Sequence, residues 1–340
     1  MAQTRRSSTK RSTSKTAQIG YALSSEEHSA PELVRHAQLA ADAGIQTVWI
    51  SDHFHPWLDE QGQSPFVWSV IGAIAATTEL AVSTAVTCPT MRIHPAIVAH
   101  AAATSASLLE GRFELGVGSG ENLNEHIFGD VWPITDVRLA MLEEAIEVIR
   151  KLWTGEEITH RGDYYTVENA RLYSLPAVPP PITMSGFGPK ATDLAARIAD
   201  GYVCTSPSKE LVDRYRKGGG KGLASGSVKV CWGPDKDDCV KLAHHVWRTS
   251  GVPGELSQEL RSPALFDQAS ELVTLESVAE HTPCGPEVEP IVAAIKTSVD
   301  AGLDRVFITQ IGSHQEEFFA FFSRELVPAL KDVGVTTAAR

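Results

Sequence analysis

From residue 18 onward the chain alternates short apolar runs with longer stretches whose apolar positions recur at helical spacing. Eight runs read as strands: QIGYAL (18–23), TVWIS (47–51), LAVSTAVT (80–87), FELGVGS (113–119), PITMSG (181–186), GYVCTS (201–206), VKVCWG (228–233) and RVFITQ (305–310). Each is mostly apolar or β-branched and is bounded by glycine, proline or polar residues. Between them, PELVRHAQLAADAG (31–44), PAIVAHAAATSASLLEG (95–111) and DVRLAMLEEAIEVIRKLWTG (136–155) carry helical patterns. Pro31 suits a helix start and Gly44 a helix end. Eight strands, each followed by a helical stretch, predict an α/β fold of the (β/α)8 TIM-barrel type.

Two stretches interrupt the alternation. Residues 156–180, EEITHRGDYYTVENARLYSLPAVPP, read as a hairpin followed by a proline-rich return. Residues 217–285, apart from the seventh strand, read as an insertion with a flexible KGGGKG loop and two helical stretches. The expected organisation is a disordered basic tail over 1–16, then one barrel domain over 17–335 carrying these two insertions.

Composition narrows the function classes. Apolar residues at 43% and charged residues at 21% suit a globular core, and the net charge of −12 argues against a general nucleic-acid or membrane-surface binder. The charge is uneven: Arg5, Arg6, Lys10, Arg11 and Lys15 give the head a positive sign with no acid among its first residues. Arg5-Arg6 resembles a twin-arginine start, but Ser, Thr and Lys follow where a secretory signal needs an apolar stretch. No run approaches transmembrane length. The five cysteines (88, 204, 231, 239, 284) contain no CxxC pair, so cytoplasmic residence with reduced thiols is expected.

Barrel enzymes place their chemistry on loops after the strands. SDHFHPW (51–57) follows the second strand and admits three readings. A metal cage would use His53 and His55, which point the same way in extended chain, but the other strand ends supply no further ligand and His281 and His314 are tied to no site. Phosphate binding by GVGSGE (116–121) or KGGGKG fails on spacing. The third reading gathers Glu26, Asp52, His53, Trp57 and Glu121 on one rim, a histidine and carboxylates suited to proton transfer. Singly, His53 fits a packing or capping residue, Glu26 a solvated acid and Trp57 plain core; their shared rim favours a site.

SDHFHPW, STAVTCPTMRIHPAIVA (83–99), GVGSGENLNE (116–125), GDYYTVENARLY (162–173) and SGFGPKATDLAARIADGYVCTS (185–206) resemble the deazaflavin-dependent dehydrogenases of the luciferase-like superfamily. The nearest branches are the F420-dependent glucose-6-phosphate and secondary-alcohol dehydrogenases. The resemblance runs from about residue 18 to 335. It implies coenzyme F420 as cofactor, His53 as the base taking the hydroxyl proton, Trp57 beside the substrate oxygen, Glu121 as acid–base partner and Glu26 in the same pocket. Asp52, Cys88 and Asn124 would contact the cofactor, and a non-proline cis peptide at Ala85–Val86 would back its ring. Phe187, Gly188, Lys190 and Ala191 would seat its anionic tail at a helix N-terminus.

Among sugar-phosphate members a cradle of cations holds the phosphate. Here Thr205 matches, Lys209 is displaced by one position, and the other two cations fall near Gln268 and His281. Fewer charge-assisted bonds point to a secondary-alcohol-type substrate rather than glucose 6-phosphate. The expected function is hydride transfer between an alcohol carbon of a small molecule and F420, in a homodimer. The alternatives are a sugar-phosphate dehydrogenase, a reductase of quinones or nitroaromatics using reduced F420, a metal-dependent barrel hydrolase, and a deazaflavin carrier without turnover.

Overall fold

The computed structural model describes residues 16–337, so the basic head up to position 15 and the last three residues lie outside it. Strands run in chain order as β1 (Ala17–Leu23), β2 (Thr47–Ile50), β3 (Ala81–Thr84), β4 (Phe113–Val117), β5 (Ile158–Arg161), β6 (Thr166–Ala170), β7 (Ile182–Ser185), β8 (Gly201–Val203), β9 (Ala224–Val230), β10 (Arg305–Gln310) and β11 (Val335–Thr336). The sheet order β10-β9-β8-β7-β4-β3-β2-β1, with β10 pairing back onto β1, closes an eight-stranded parallel barrel. Short β11 adds beside the start of β1. The β5–β6 pair is antiparallel and separate, a hairpin within the first insertion.

Helices cover the barrel outside and side chains fill it inside, so β1, β2, β7, β8 and β10 are buried along their length. The expected helices form as Ala30–Asp42, Pro95–Leu108 and Thr135–Leu152. The first opens on a Ser29/Glu32 capping box, and Gly44 beyond its end takes φ 84°. A further helix, Val67–Thr77, has no counterpart in the predicted elements. Its sequence VWSVIGAIAAT is apolar nearly all round, which hides the helical period. Among the described residues no helix is long and apolar enough to cross a membrane.

Three predicted elements need correction. The third strand stops at Thr84 because the chain leaves the ladder through a cis peptide at Ala85–Val86. The seventh strand starts at Ala224 and ends at Val230; Ser225–Val230 pairs in register with β10, whereas the Cys231 backbone leaves for an isolated ladder contact with the Cys284 backbone, both thiols being free. Small residues are required there, since a Cβ at Gly226 would lie 2.5 Å from Leu303 and 2.9 Å from the Cys204 carbonyl. The second insertion carries four short helices rather than two: Lys236–Trp247, Leu256–Glu259, Pro263–Ser270 and Leu275–His281. Pro253 and Pro263 break the chain between them. The KGGGKG segment is packed: Arg216 donates to the carbonyls of Gly220 and Gly222, and a Cβ at Gly222 would overlap the Asp200 carbonyl at 1.5 Å.

Candidate active site

The loops after the strands line an open cleft with a cavity of about 140 Å³. His53, just beyond β2, is nearly buried between two carboxylates. Its Nδ1 lies 3.4 Å from Glu26 Oε1 and its Nε2 lies 3.6 Å from Glu121 Oε2. Glu26, beyond β1, is fixed by the hydroxyls of Ser24 (3.0 Å) and Ser51 (2.9 Å). The buried His53 Nδ1 itself makes no aligned hydrogen bond. Trp57 packs edge-on to the imidazole, 5.0 Å between ring centroids, and against Phe266 of the insertion on its other side. His53, Glu26, Glu121 and Trp57 therefore converge, though they come from three strand ends.

A second layer holds the loop in place. Asn124 Oδ1 accepts from the backbone N–H of Phe54 (2.8 Å) and His55 (3.1 Å), while its amide faces Glu121 at 3.3 Å. His55 turns away from His53: its Nδ1 meets the Leu123 carbonyl at 2.9 Å and its ring stacks on His126. The two histidines thus do not form the shared face expected of extended chain. Among the described residues no group of three or more histidines, cysteines or carboxylates is arranged to hold a metal ion. Asp52 is buried, accepting from Thr87 Oγ1 (2.7 Å) and from Arg92 Nη2 (2.8 Å). Arg92 also faces Glu125, whose carboxyl burial pushes up to about 7 against the pull of the Arg92 backbone N–H and guanidinium.

One wall is small and apolar. Ala85 and Val86 pack with Ala22, Trp49, Val203 and Phe307, and the Trp49 and Phe307 rings stack 4.1 Å apart beneath the cleft. Gly118 is needed behind this wall, since its Cβ would stand 2.6 Å from Val86 and 2.9 Å from Ser185. Cys88 lines the same cleft, and burial raises its thiol well above the ordinary range, which makes it an inert lining group.

The other expected residues lie elsewhere. Gly188 caps the helix Pro189–Ile198, Phe187 is half-exposed beside it, and Lys190 pairs on the surface with Asp136 at 2.6 Å. Ala191 lies in that helix's first turn, against the Gly186 backbone. Of the expected substrate residues, Thr205 lines the cleft. Lys209 is exposed and paired with Asp213 one turn on (2.8 Å), Gln268 is exposed, and His281 is exposed with Nδ1 at the Ser277 carbonyl. The insertion's helices turn Gln268 and His281 away from the cleft lining, and the helix Lys209–Lys217 after β8 does the same for Lys209.

Sequence reasoning missed Arg92, Lys229, Trp247 and Glu27. Lys229 lines the cleft from β9, its ammonium 4.3 Å over the Trp247 ring. Trp247 donates its indole N–H to half-buried Glu27 at 2.6 Å. The alternation Ser225, Ser227, Lys229 in β9 was the available signal for an inward-facing lysine.

The luciferase-like monooxygenase family model matches residues 9–305. An F420-dependent glucose-6-phosphate dehydrogenase of Amycolatopsis mediterranei is 33% identical over 330 residues, covering 93% of this chain and 99% of that protein. A solved F420-dependent secondary alcohol dehydrogenase in complex with an F420-acetone adduct is similar at TM-score 0.86 and 29% identity, covering 93% of this chain and 99% of its own. The coenzyme F420-dependent tetrahydromethanopterin reductase of Methanopyrus kandleri, at TM-score 0.74 and 19% identity over 93% and 99% of the two chains, shares the fold.

Proposed function

The chain belongs to the luciferase-like family, and from that premise we propose that it is an F420-dependent oxidoreductase acting on an alcohol carbon of a small substrate. The observation that carries this reading is His53 held between Glu26 and Glu121 at the mouth of a cleft with a flat apolar wall. The residues present fit a deazaflavin. The small wall of Ala85, Val86 and Cys88 leaves room for a planar ring, and the Gly188 position faces open space where an added Cβ would meet nothing within 4 Å. Backbone N–H groups at the start of helix Pro189–Ile198, with Lys190, would hold an anionic tail. Asp52 and Asn124 would border the cofactor. A bound deazaflavin supplies a hydride acceptor or donor.

The chain's own groups would manage the proton. His53 takes it from the alcohol oxygen through Nε2 or returns it in the reverse direction, and the two flanking carboxylates balance the charge the ring gains. Trp57 excludes water and lies where its indole borders the reacting oxygen. Glu121, more open than Glu26, serves as the exchange partner with solvent. A secondary alcohol suits the cleft better than glucose 6-phosphate, because Lys209, Gln268 and His281 are absent from its lining. The reading includes a homodimer in the cytoplasm, as the resemblance to the family implies.

The test is equilibrium titration with F420 followed by screening in both directions, alcohols with oxidised cofactor and ketones, quinones and nitroaromatics with reduced cofactor. Micromolar or tighter binding with faster turnover of the alcohol–ketone couple is expected. Turnover confined to quinones or nitroaromatics would move the assignment to the reductase reading.

A further inference from the structure

The cleft has a second polar group on the ends of β8, β9 and β10. Among the described residues lining the cleft, Lys229 is the one lysine or arginine, whereas Glu26, Asp52, Glu121 and Glu125 supply four acids. Asp52 and Glu125 are already matched to Arg92. Lys229 stands in register with Thr309, and Ser227 precedes it on the same face; Thr309, Ser227 and Thr205 all line the cleft. Ser227 Oγ donates to the Thr205 carbonyl at 3.3 Å.

The Lys229 ammonium touches a ring face and makes no ion pair within 4 Å among the described residues. Its platform is rigid. Trp247 is pinned by Glu27, which also accepts from the Gly312 N–H at 2.9 Å. The two acids whose charge it feels, Glu26 and Glu27, spend their bonds on Ser24 and Ser51, and on Trp247 and Gly312. The ammonium, on the ring face at the cleft lining, thus keeps hydrogen-bonding capacity for a ligand, and burial, which pushes this lysine's pKa down, makes an acceptor there valuable.

Resting on the alcohol-oxidoreductase reading above, we propose that Lys229, with Ser227 and Thr309, forms a subsite for a second oxygen of the substrate. The preferred substrates are then oxygenated secondary alcohols, hydroxy acids or vicinal diols, rather than simple alkanols. This subsite is separate from the positions of Lys209, Gln268 and His281, and a single ammonium suits one carboxylate or hydroxyl better than a phosphate dianion.

The experiment compares kcat/KM for a simple secondary alcohol, a diol and a hydroxy acid of matched size, in wild type, Lys229→Met and Lys229→Arg, each shown to bind F420. Wild type should favour an oxygenated substrate at least tenfold. Lys229→Met should shrink that ratio at least tenfold, mainly through KM, and Lys229→Arg should restore part of it. Preference for the hydroxy acid identifies the oxygen as anionic, and preference for the diol as neutral; either supports the subsite. Equal wild-type preference, or an undiminished ratio in Lys229→Met, overturns it. A wild type that oxidises no alcohol overturns the underlying reading instead. In that case the cofactor-free protein is titrated with the hydroxy acid and the diol by tryptophan fluorescence. A response lost in Lys229→Met supports the subsite, and no response in wild type, or a response kept in Lys229→Met, overturns it.

Discussion

The two ends of this barrel each bury charge, and they do it in opposite ways. Toward the amino ends of the strands, Arg305 on β10 grips Glu114 on β4 with two bonds of 2.7 and 2.9 Å. Its Nε reaches Ser225 on β9 at 3.0 Å, and Thr183 on β7 adds a bond to the same carboxylate. Four strands are tied across the interior, and the main donors and acceptors have partners. At the carboxyl ends, His53 stands 3.4 and 3.6 Å from its two acids, with Nδ1 lacking an aligned bond, and Lys229 rests on an indole face. A closed network holds the barrel together. A loosely matched one leaves bonding capacity for a ligand.

That contrast is broken most sharply by exchanging the losses. His53→Ala should cut turnover by about 10²–10⁴-fold, the range of a general base, while F420 affinity and melting temperature stay near wild type. Steady-state kinetics beside a binding titration check this. Arg305→Met should do the reverse: destabilise by about 3–5 kcal/mol, because Glu114 is left partly buried without its cation, and lower kcat only as the folded fraction falls. Denaturant unfolding gives the number.

A smaller effect lies in the Asp52–Arg92–Glu125 layer. The Glu125 carboxyl titrates near 7 in the fold against an ordinary 4.5, so the folded protein keeps a proton that the unfolded chain releases. Its contribution to stability is therefore present below about 4.5 and lost as pH rises through 7. Relative to Glu125→Gln, wild type should lose on the order of 1–3 kcal/mol between pH 5 and 8, read from paired melting curves. Least of all, Lys209→Ala, Gln268→Ala and His281→Ala should each leave kcat/KM within about twofold and stability within about 0.5 kcal/mol, as exposed positions do.

The same contrast separates what the sequence disclosed from what it concealed. A strand end is fixed in space once the barrel is known, so reading apolar runs located His53, Glu121 and Trp57 at one mouth. Glu26 was placed on the same rim for the same reason. The insertion obeys no such rule: its four short helices choose their own directions, and Gln268 and His281 face solvent in consequence. Lys229 was hidden differently. The seventh strand was predicted four residues late, at the apolar VKVCWG, while the true ladder begins in ASGS, whose small polar residues carry a weak strand signal. Arg92 and Glu27 escaped because both act through partners distant in sequence.

The central claim, hydride passage from an alcohol carbon under the control of His53, is tested most directly with a substrate deuterated at that carbon. The account predicts deuterium in the reduced F420, a primary isotope effect on the single-turnover rate, and loss of both when His53 is replaced by alanine. Reduced cofactor carrying hydrogen from solvent instead, or full transfer in the alanine variant, would contradict it.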